Sequence, residues 1–329
     1  MFINAMLLSS LLMLPVSSVQ IDELKKLSSS EPDKAVQRYS ELLKQAQIDN
    51  TDKQVLTDLH FEGLLAALNA SQWSTFVSIV KRLSSPELSI YVEPIKFNLV
   101  TRIGVAYRFN YQLEQARKHY TCALDLSASD IELATLKVNL AIVYRLSEQP
   151  AMAYQLINSI DQKQLSMRVK AGYFVVRGNI LTSLGKFEEA VSSFEQARGF
   201  YGKLGNAISA AGVTLNILGA SLSGNLLSTF SHYRQGYETL VDEQDMESLQ
   251  YLQWLDLIAQ AIKTKEVTLA QERWLAEHVK PLIKRGFGAD VKAHLKVVDK
   301  AYLYPKQKPI RLGKTLLPES MAQPWCPTL

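Results

Sequence analysis

Residues 178–197 read GNILTSLGKFEEAVSSFEQA, and this stretch decides the fold. Good helix formers lie on both sides of Gly185, which punctuates the pattern as a turn. Phe194 and Ala197 follow Ala190 by four and seven residues, on one face of the second helix. Thirty-seven residues earlier the pattern recurs as Ala141, Tyr144 and Ala153, and 37 earlier again as Gly104, Tyr107, Ala116, Tyr120 and Ala123. A fixed period of this size marks stacked helix pairs, because one pair cannot bury its apolar face alone.

These residues together resemble the tetratricopeptide repeat (TPR). The resemblance implies that Gly178, a small residue on the first helix of the pair (helix A), lets the second (helix B) approach. It further implies that Gly185 turns the chain and that Ala190 packs into the crossing, followed by Phe194 and Ala197. It is specific for residues 97–204 and weaker over the rest of 21–240. The period exceeds the family's usual ~34 residues, so helices or turns are extended by about a residue each. Tyr111 and Glu148 stand where the turn glycine is expected, so those turns must differ in detail.

Degenerate units flank the three good ones. One carries Leu64, Ala67, Trp73 and Phe76, with Phe76 in place of the usual small residue of helix B. Another carries Gly219, Gly224, Tyr233 and Gly236. Residues 32–45, with Ala35 and Tyr39, resemble a lone helix B, and 21–27 its short partner. The expected fold is all-α, a right-handed solenoid of about five to six helix pairs with a concave face. Residues 246–263, 269–284 and 290–302 read as further amphipathic helices, with Gly286 and Gly288 at the break between the last two. The expected organisation is a leader at 1–18 and a solenoid at 19–240, with its best repeats at 97–133, 134–170 and 171–204. A helical cap at 241–304 and an extended Pro-containing tail at 305–329 follow, with Trp325 positioned to anchor the tail.

At 47% hydrophobic and 21% charged residues the chain is too apolar for disorder. The first 18 residues carry no charged side chain, and 6–16 has the length of a signal-peptide core. Val16 and Ser18 suit cleavage after Ser18, although the leader lacks the usual Lys or Arg. The chain is therefore expected to be periplasmic or secreted, with no later segment reaching the roughly 20 apolar residues of a membrane span. Export permits a disulfide between Cys122 and Cys326, but sequence alone does not say whether they pair.

Chemistry finds no foothold. His60, His119, His232, His278 and His294 form neither HExxH nor HxH. Residues 202–206 lack the phosphate-loop frame and read as a turn between repeats. Glu188 and Glu189 are adjacent and so diverge on a helix. The expectation is a non-enzymatic binding protein with no cofactor and no metal.

In TPR proteins the groove is lined by helix A, and the resemblance carries this role to Asn98, Thr101, Val105 and Arg108. In the next units it falls on Thr135, Val138, Ile142 and Arg145, then on Val175, Asn179 and Thr182. Arg108 and Arg145 would stand along one wall and suit a carboxylate, while Phe61, Leu65 and Leu68 make the other end apolar. The partner is then a protein or peptide with an acidic group, and nucleic acid is not expected. A second surface is the 280–314 stretch, with ten Lys or Arg and only Asp290 and Asp299 as acids. Lys292, Lys296 and Lys300 recur every four residues there, a spacing that would place them on one helix face able to meet an anionic lipid surface or an acidic partner. The leading reading is an adaptor in the bacterial cell envelope. The alternative is the input module of a signalling system acting through a separate receptor. A TPR-bearing cell-wall hydrolase would need more than 241–329 offers.

Overall fold

The computed structural model describes residues 15–49, 51–235, 237, 246–306, 315–319 and 321–327. Among these residues the chain is all-helical, and consecutive helices pack on one another. It forms two compact units, Met1–Leu126 with Gly313–Leu329, and Ser127–Leu312. The divide falls inside the stretch expected to run on as one solenoid, and the tail belongs to the first unit.

The first unit holds α1 (Ser18–Ser30), α2 (Pro32–Ile48), α3 (Lys53–Asn69), α4 (Trp73–Leu83), α5 (Ser89–Val92), α6 (Lys96–Phe109) and α7 (Leu113–Leu126). Residues 1–14 of the expected leader lie outside the described residues. Ser17 caps α1 in a reciprocal bond with Gln20, and Val16 is buried. Cleavage after Ser18 would remove both, and a lost Ser cap costs about 1 kcal/mol. Helices α1 and α2 both pack on α3. Tyr39 hydrogen-bonds Nδ1 of His60 at 2.8 Å, and its ring fills the space left by Gly63. Phe76 is fully buried and meets Trp73 edge-on, so a large residue is accommodated where a small one was expected. On α6, a Cβ added at Gly104 would stand 2.6 Å from the Tyr120 ring of α7. In the described part of the tail, 316–318 have no regular structure and 321–325 form turns. It buries Leu317, Ala322 and Cys326, and the Cys122–Cys326 disulfide, with Cα atoms 6.1 Å apart, joins it to α7. Trp325 is only half-buried.

The second unit holds α8 (Asp130–Leu146), α9 (Pro150–Asn158), α10 (Met167–Ser183), α11 (Phe187–Lys203), α12 (Ala207–Ser223), α13 (Leu227–Arg234), α14 (Met246–Thr264), α15 (Leu269–Leu282) and α16 (Gly288–Val297). Ser129, Ser166, Asn206 and Thr268 cap α8, α10, α12 and α15 with their side chains. One buried cluster gathers Tyr173, Phe174, Ile180 and Phe194; another gathers Leu218, Tyr251, Trp254 and Leu275. A Cβ at Gly178 would overlap the Phe194 ring. The last helix was expected to reach residue 302 but stops at Val297, because Asp299 takes φ 55°. Lys300 therefore leaves the helix face of Lys292 and Lys296.

The helix-to-helix turns repeat one device. Ser71, Tyr111, Glu148, Gly185 and Asn225 all have positive φ, and the middle three are 37 residues apart. After each, the next N–H bonds a carbonyl five residues back: Gln72 to Ala67, Gln112 to Tyr107, Gln149 to Tyr144, Lys186 to Leu181 and Leu226 to Ser221. This closes the last turn and satisfies an otherwise orphan carbonyl. Tyr111 and Glu148 thus make the same turn as Gly185, with a strained backbone in place of a glycine. The expected turn at 202–206 is present, with Gly205 at φ 67°.

Candidate functional site

In the second unit the candidate wall is built on α8 and α10, which pack side by side. Thr135, Val138, Ile142 and Arg145 recur at three- and four-residue steps, as do Val175, Asn179 and Thr182, so each set shares a helix face. All seven are half-buried. Val138, Ile142 and Val175 lie against the buried cluster beneath. Thr135 and Thr182 give their hydroxyl protons to Ile131 and Gly178 of their own helices, at 2.9 and 3.0 Å. Their donors are spent, so the wall presents three apolar side chains, two threonine methyls, and Asn179 and Arg145 as its polar groups.

A carboxylate of this same chain lies within electrostatic range of Arg145. Helix α16 packs along α12 and touches α10, and the charge of Arg145 reaches Asp290 on it. Burial pushes the Asp290 carboxyl up to about 6, and Tyr251 and Arg145 pull it the other way. An acidic group of the chain itself thus lies in the electrostatic surroundings of this wall. A signal for this existed in the sequence: Asp290 is one of two acids in an otherwise basic stretch.

In the first unit, Asn98 is exposed, Thr101 is buried, and Val105 and Arg108 are half-buried. The Thr101 hydroxyl and the Arg108 Nε have no hydrogen-bond partner among the described residues. The Arg108 guanidinium lies over the Phe109 ring at 4.7 Å. Helix α3 adjoins α6 and brings Phe61 and Leu65, half-buried, and Leu68, buried. Arg102, which sequence reading passed over, covers that apolar end. Its guanidinium sits 3.5 Å from the Phe61 ring centre, donates to the Phe61 carbonyl and pairs with Glu62 at 3.8 Å. Burial lowers the Arg102 pKa to about 10, against the attraction of Glu62. Arg108 and Arg145 belong to different compact units.

Six of the seven described Lys and Arg residues of the 280–314 stretch are exposed. Lys292 and Lys296 are exposed, while Lys300 pairs with Glu272 at 2.5 Å. Lys308, Arg311 and Lys314 lie outside the described residues. No group of three or more His, Cys, Asp or Glu side chains is placed to hold a metal among the described residues, and no helix there is long and apolar enough to cross a membrane. No protein-family model and no curated protein matches the chain.

Proposed function

We propose that this chain is an exported bacterial TPR-type α-solenoid that binds a protein or peptide through its helix-A faces and performs no chemistry of its own. The observation that carries the reading is the α8–α10 wall. Seven side chains at groove spacing are half-buried, with the threonine donors already satisfied. Such a surface gains by covering its apolar area, with Asn179 and Arg145 as the polar side chains that would orient a partner on it. The TPR reading draws further support from the period of the positive-φ turns and from the fit of Gly104 to Tyr120 and of Gly178 to Phe194. Periplasmic or secreted localisation draws support from the Cys122–Cys326 disulfide, since such bonds persist in oxidising compartments.

The test is affinity capture from a periplasmic fraction, comparing the wild type with a Thr135→Arg/Thr182→Arg variant of equal melting temperature. A partner held by the wild type and lost with the variant supports the reading. Equal capture by both places binding elsewhere. Mass spectrometry of the native protein gives the second readout. A start near Val19 supports export, and an intact Met1 on cytoplasmic protein rejects it.

A further inference from the structure

The tail contacts in the first unit are made in a particular way. Gln112 follows the positive-φ residue Tyr111, and its amide grips one residue of the tail twice. Its Nε2 donates to the Leu317 carbonyl at 2.9 Å, and its Oε1 accepts the Leu317 N–H at 2.9 Å. The Tyr107 hydroxyl donates to the Pro318 carbonyl and accepts the Met321 N–H at 3.3 Å. Two side chains thus satisfy four main-chain groups of the tail. Pro318 has no N–H to leave unsatisfied. Below the clamp the Leu317 side chain is buried at 1% exposure, while its neighbour Leu316 stands 84% exposed.

Paired main-chain hydrogen bonds with a pocket for one side chain are how peptide-binding surfaces hold extended ligands: the backbone contacts give affinity and the pocket gives selectivity. We propose that the α6–α7 hairpin is a peptide-binding site whose resident ligand is the chain's own 315–327 segment, tethered by Cys122–Cys326. The ligand class is a peptide with a buried Leu followed by Pro, gripped through its main chain by Gln112 and Tyr107. The tether makes docking intramolecular, so even a modest intrinsic affinity keeps the site filled. Opening requires a dithiol reductant: it gives two electrons and two protons, leaves as its own disulfide, and Cys122 and Cys326 become thiols. The clamp residues belong to the first unit and the α8–α10 wall to the second, and the capture variants at Thr135 and Thr182 change none of the clamp residues, so the two readings are tested by different substitutions.

The experiment uses the full chain and a fluorescent peptide of the 315–327 sequence with serine in place of its cysteine. The peptide is titrated against the oxidised wild type, a Leu317→Asp/Cys326→Ser chain whose own tail is released, and that chain with Gln112→Ala added. The expected result is no binding to the oxidised chain and saturable binding to the released chain. Gln112→Ala should weaken that binding by about tenfold, the scale of a lost pair of hydrogen bonds. Amide exchange on the wild type gives a second measurement: protection at Leu317 and Met321 should fall on reduction while α6 and α7 stay protected. No binding to a folded released chain, or binding indifferent to Gln112→Ala, overturns the proposal. A released chain that unfolds overturns it too, because a segment the hairpin cannot fold without is core and not ligand.

Discussion

The Trp254 indole N–H points at Nδ1 of His294, 3.1 Å away, in the interior of the second unit. The indole is a donor only, so Nδ1 must accept, and the ring's proton sits on Nε2, where it meets the Gly219 carbonyl at 2.8 Å. A second proton on the ring would set donor against donor. Burial lowers the His294 pKa to about 4, and does the same for His60 and His119. An unfolded histidine titrates near 6.5, so below that pH the unfolded chain takes up protons first. The contribution of these rings is complete above pH ~6.5 and is lost as pH falls through about 4. Denaturant titrations from pH 7.5 to 4.5 should show stability falling, and His294→Gln should flatten the slope by up to about one proton. A slope that ignores the substitution would refute the buried neutral ring.

Asp290 acts in the opposite sense. Its folded pKa of about 6 lies above the unfolded value near 3.9. The folded state therefore holds the proton more tightly, and stability falls as pH rises from about 4 to 6. Asp290→Asn should raise stability at pH 7.5 by about 1–3 kcal/mol and change little near pH 4. Melting curves at the two pH values decide it; a loss at pH 7.5 would mean that the carboxylate's contacts outweigh its burial.

Turn strain gives a third measurement. A non-glycine residue in the left-handed region costs roughly 1 kcal/mol. Gly185→Ala should cost about that much, since nothing crowds the position and only the backbone objects. Glu148→Gly should be neutral or stabilising by a few tenths, about 0–0.5 kcal/mol, because relieved strain competes with a freer unfolded chain. If Gly185→Ala melts with the wild type, the shared turn geometry is wrong.

The helix crossing makes a fourth. Gly178 lies under the Phe194 ring, and Ala190 is fully buried. Gly178→Leu and Ala190→Trp should each cost at least the roughly 1–3 kcal/mol of core overpacking. Lys186→Ala, which breaks one exposed pair with Glu189 at 3.0 Å, should change stability by less than about 1 kcal/mol. Equal melting temperatures would remove both residues from a crossing.

What could be read from the sequence was local. Gly178 and Phe194 are 16 residues apart on neighbouring helices, and such pairs leave a periodic trace. Tyr111 and Glu148 were legible as turn residues because they fall on the period of Gly185. The Cys122–Cys326 bond was not legible, since its ends are 204 residues apart and no period links them. Nor was the clamp, because Gln112 looks like any polar turn residue until Leu317 is seen against it. In the sequence Asp290 is only one of two acids in a basic stretch. Only the docking of α16 on α12 shows its carboxyl buried and within the electrostatic reach of Arg145.

That internal carboxylate changes the outcome expected for the two arginines. If Arg108 and Arg145 were simply exposed groove residues, replacing both with alanine would leave melting unchanged. Arg145, however, stabilises the ionised form of Asp290. Arg145→Ala should therefore lower stability at pH 7.5 by about 1 kcal/mol and recover near pH 4, where Asp290 is protonated. Arg108→Ala removes a guanidinium stacked on a half-exposed ring and interacting with the buried Tyr120 hydroxyl, and should lower stability by about 1 kcal/mol without the pH dependence that Asp290 gives Arg145→Ala. Binding separates the roles further. A partner carboxylate that uses Arg145 must compete with Asp290, so Asp290→Asn should tighten binding while Arg145→Ala weakens it by about tenfold or more. A partner held by Arg108 should lose affinity with Arg108→Ala and with added salt, and be indifferent to Asp290. The measurement is titration of a captured partner against these three variants and one with Lys292 and Lys296 neutralised. Loss only in the lysine variant would move the site to the basic stretch. Indifference in all four would leave the apolar end at Phe61 and Leu65, with Arg102 over it, as the surface to test next.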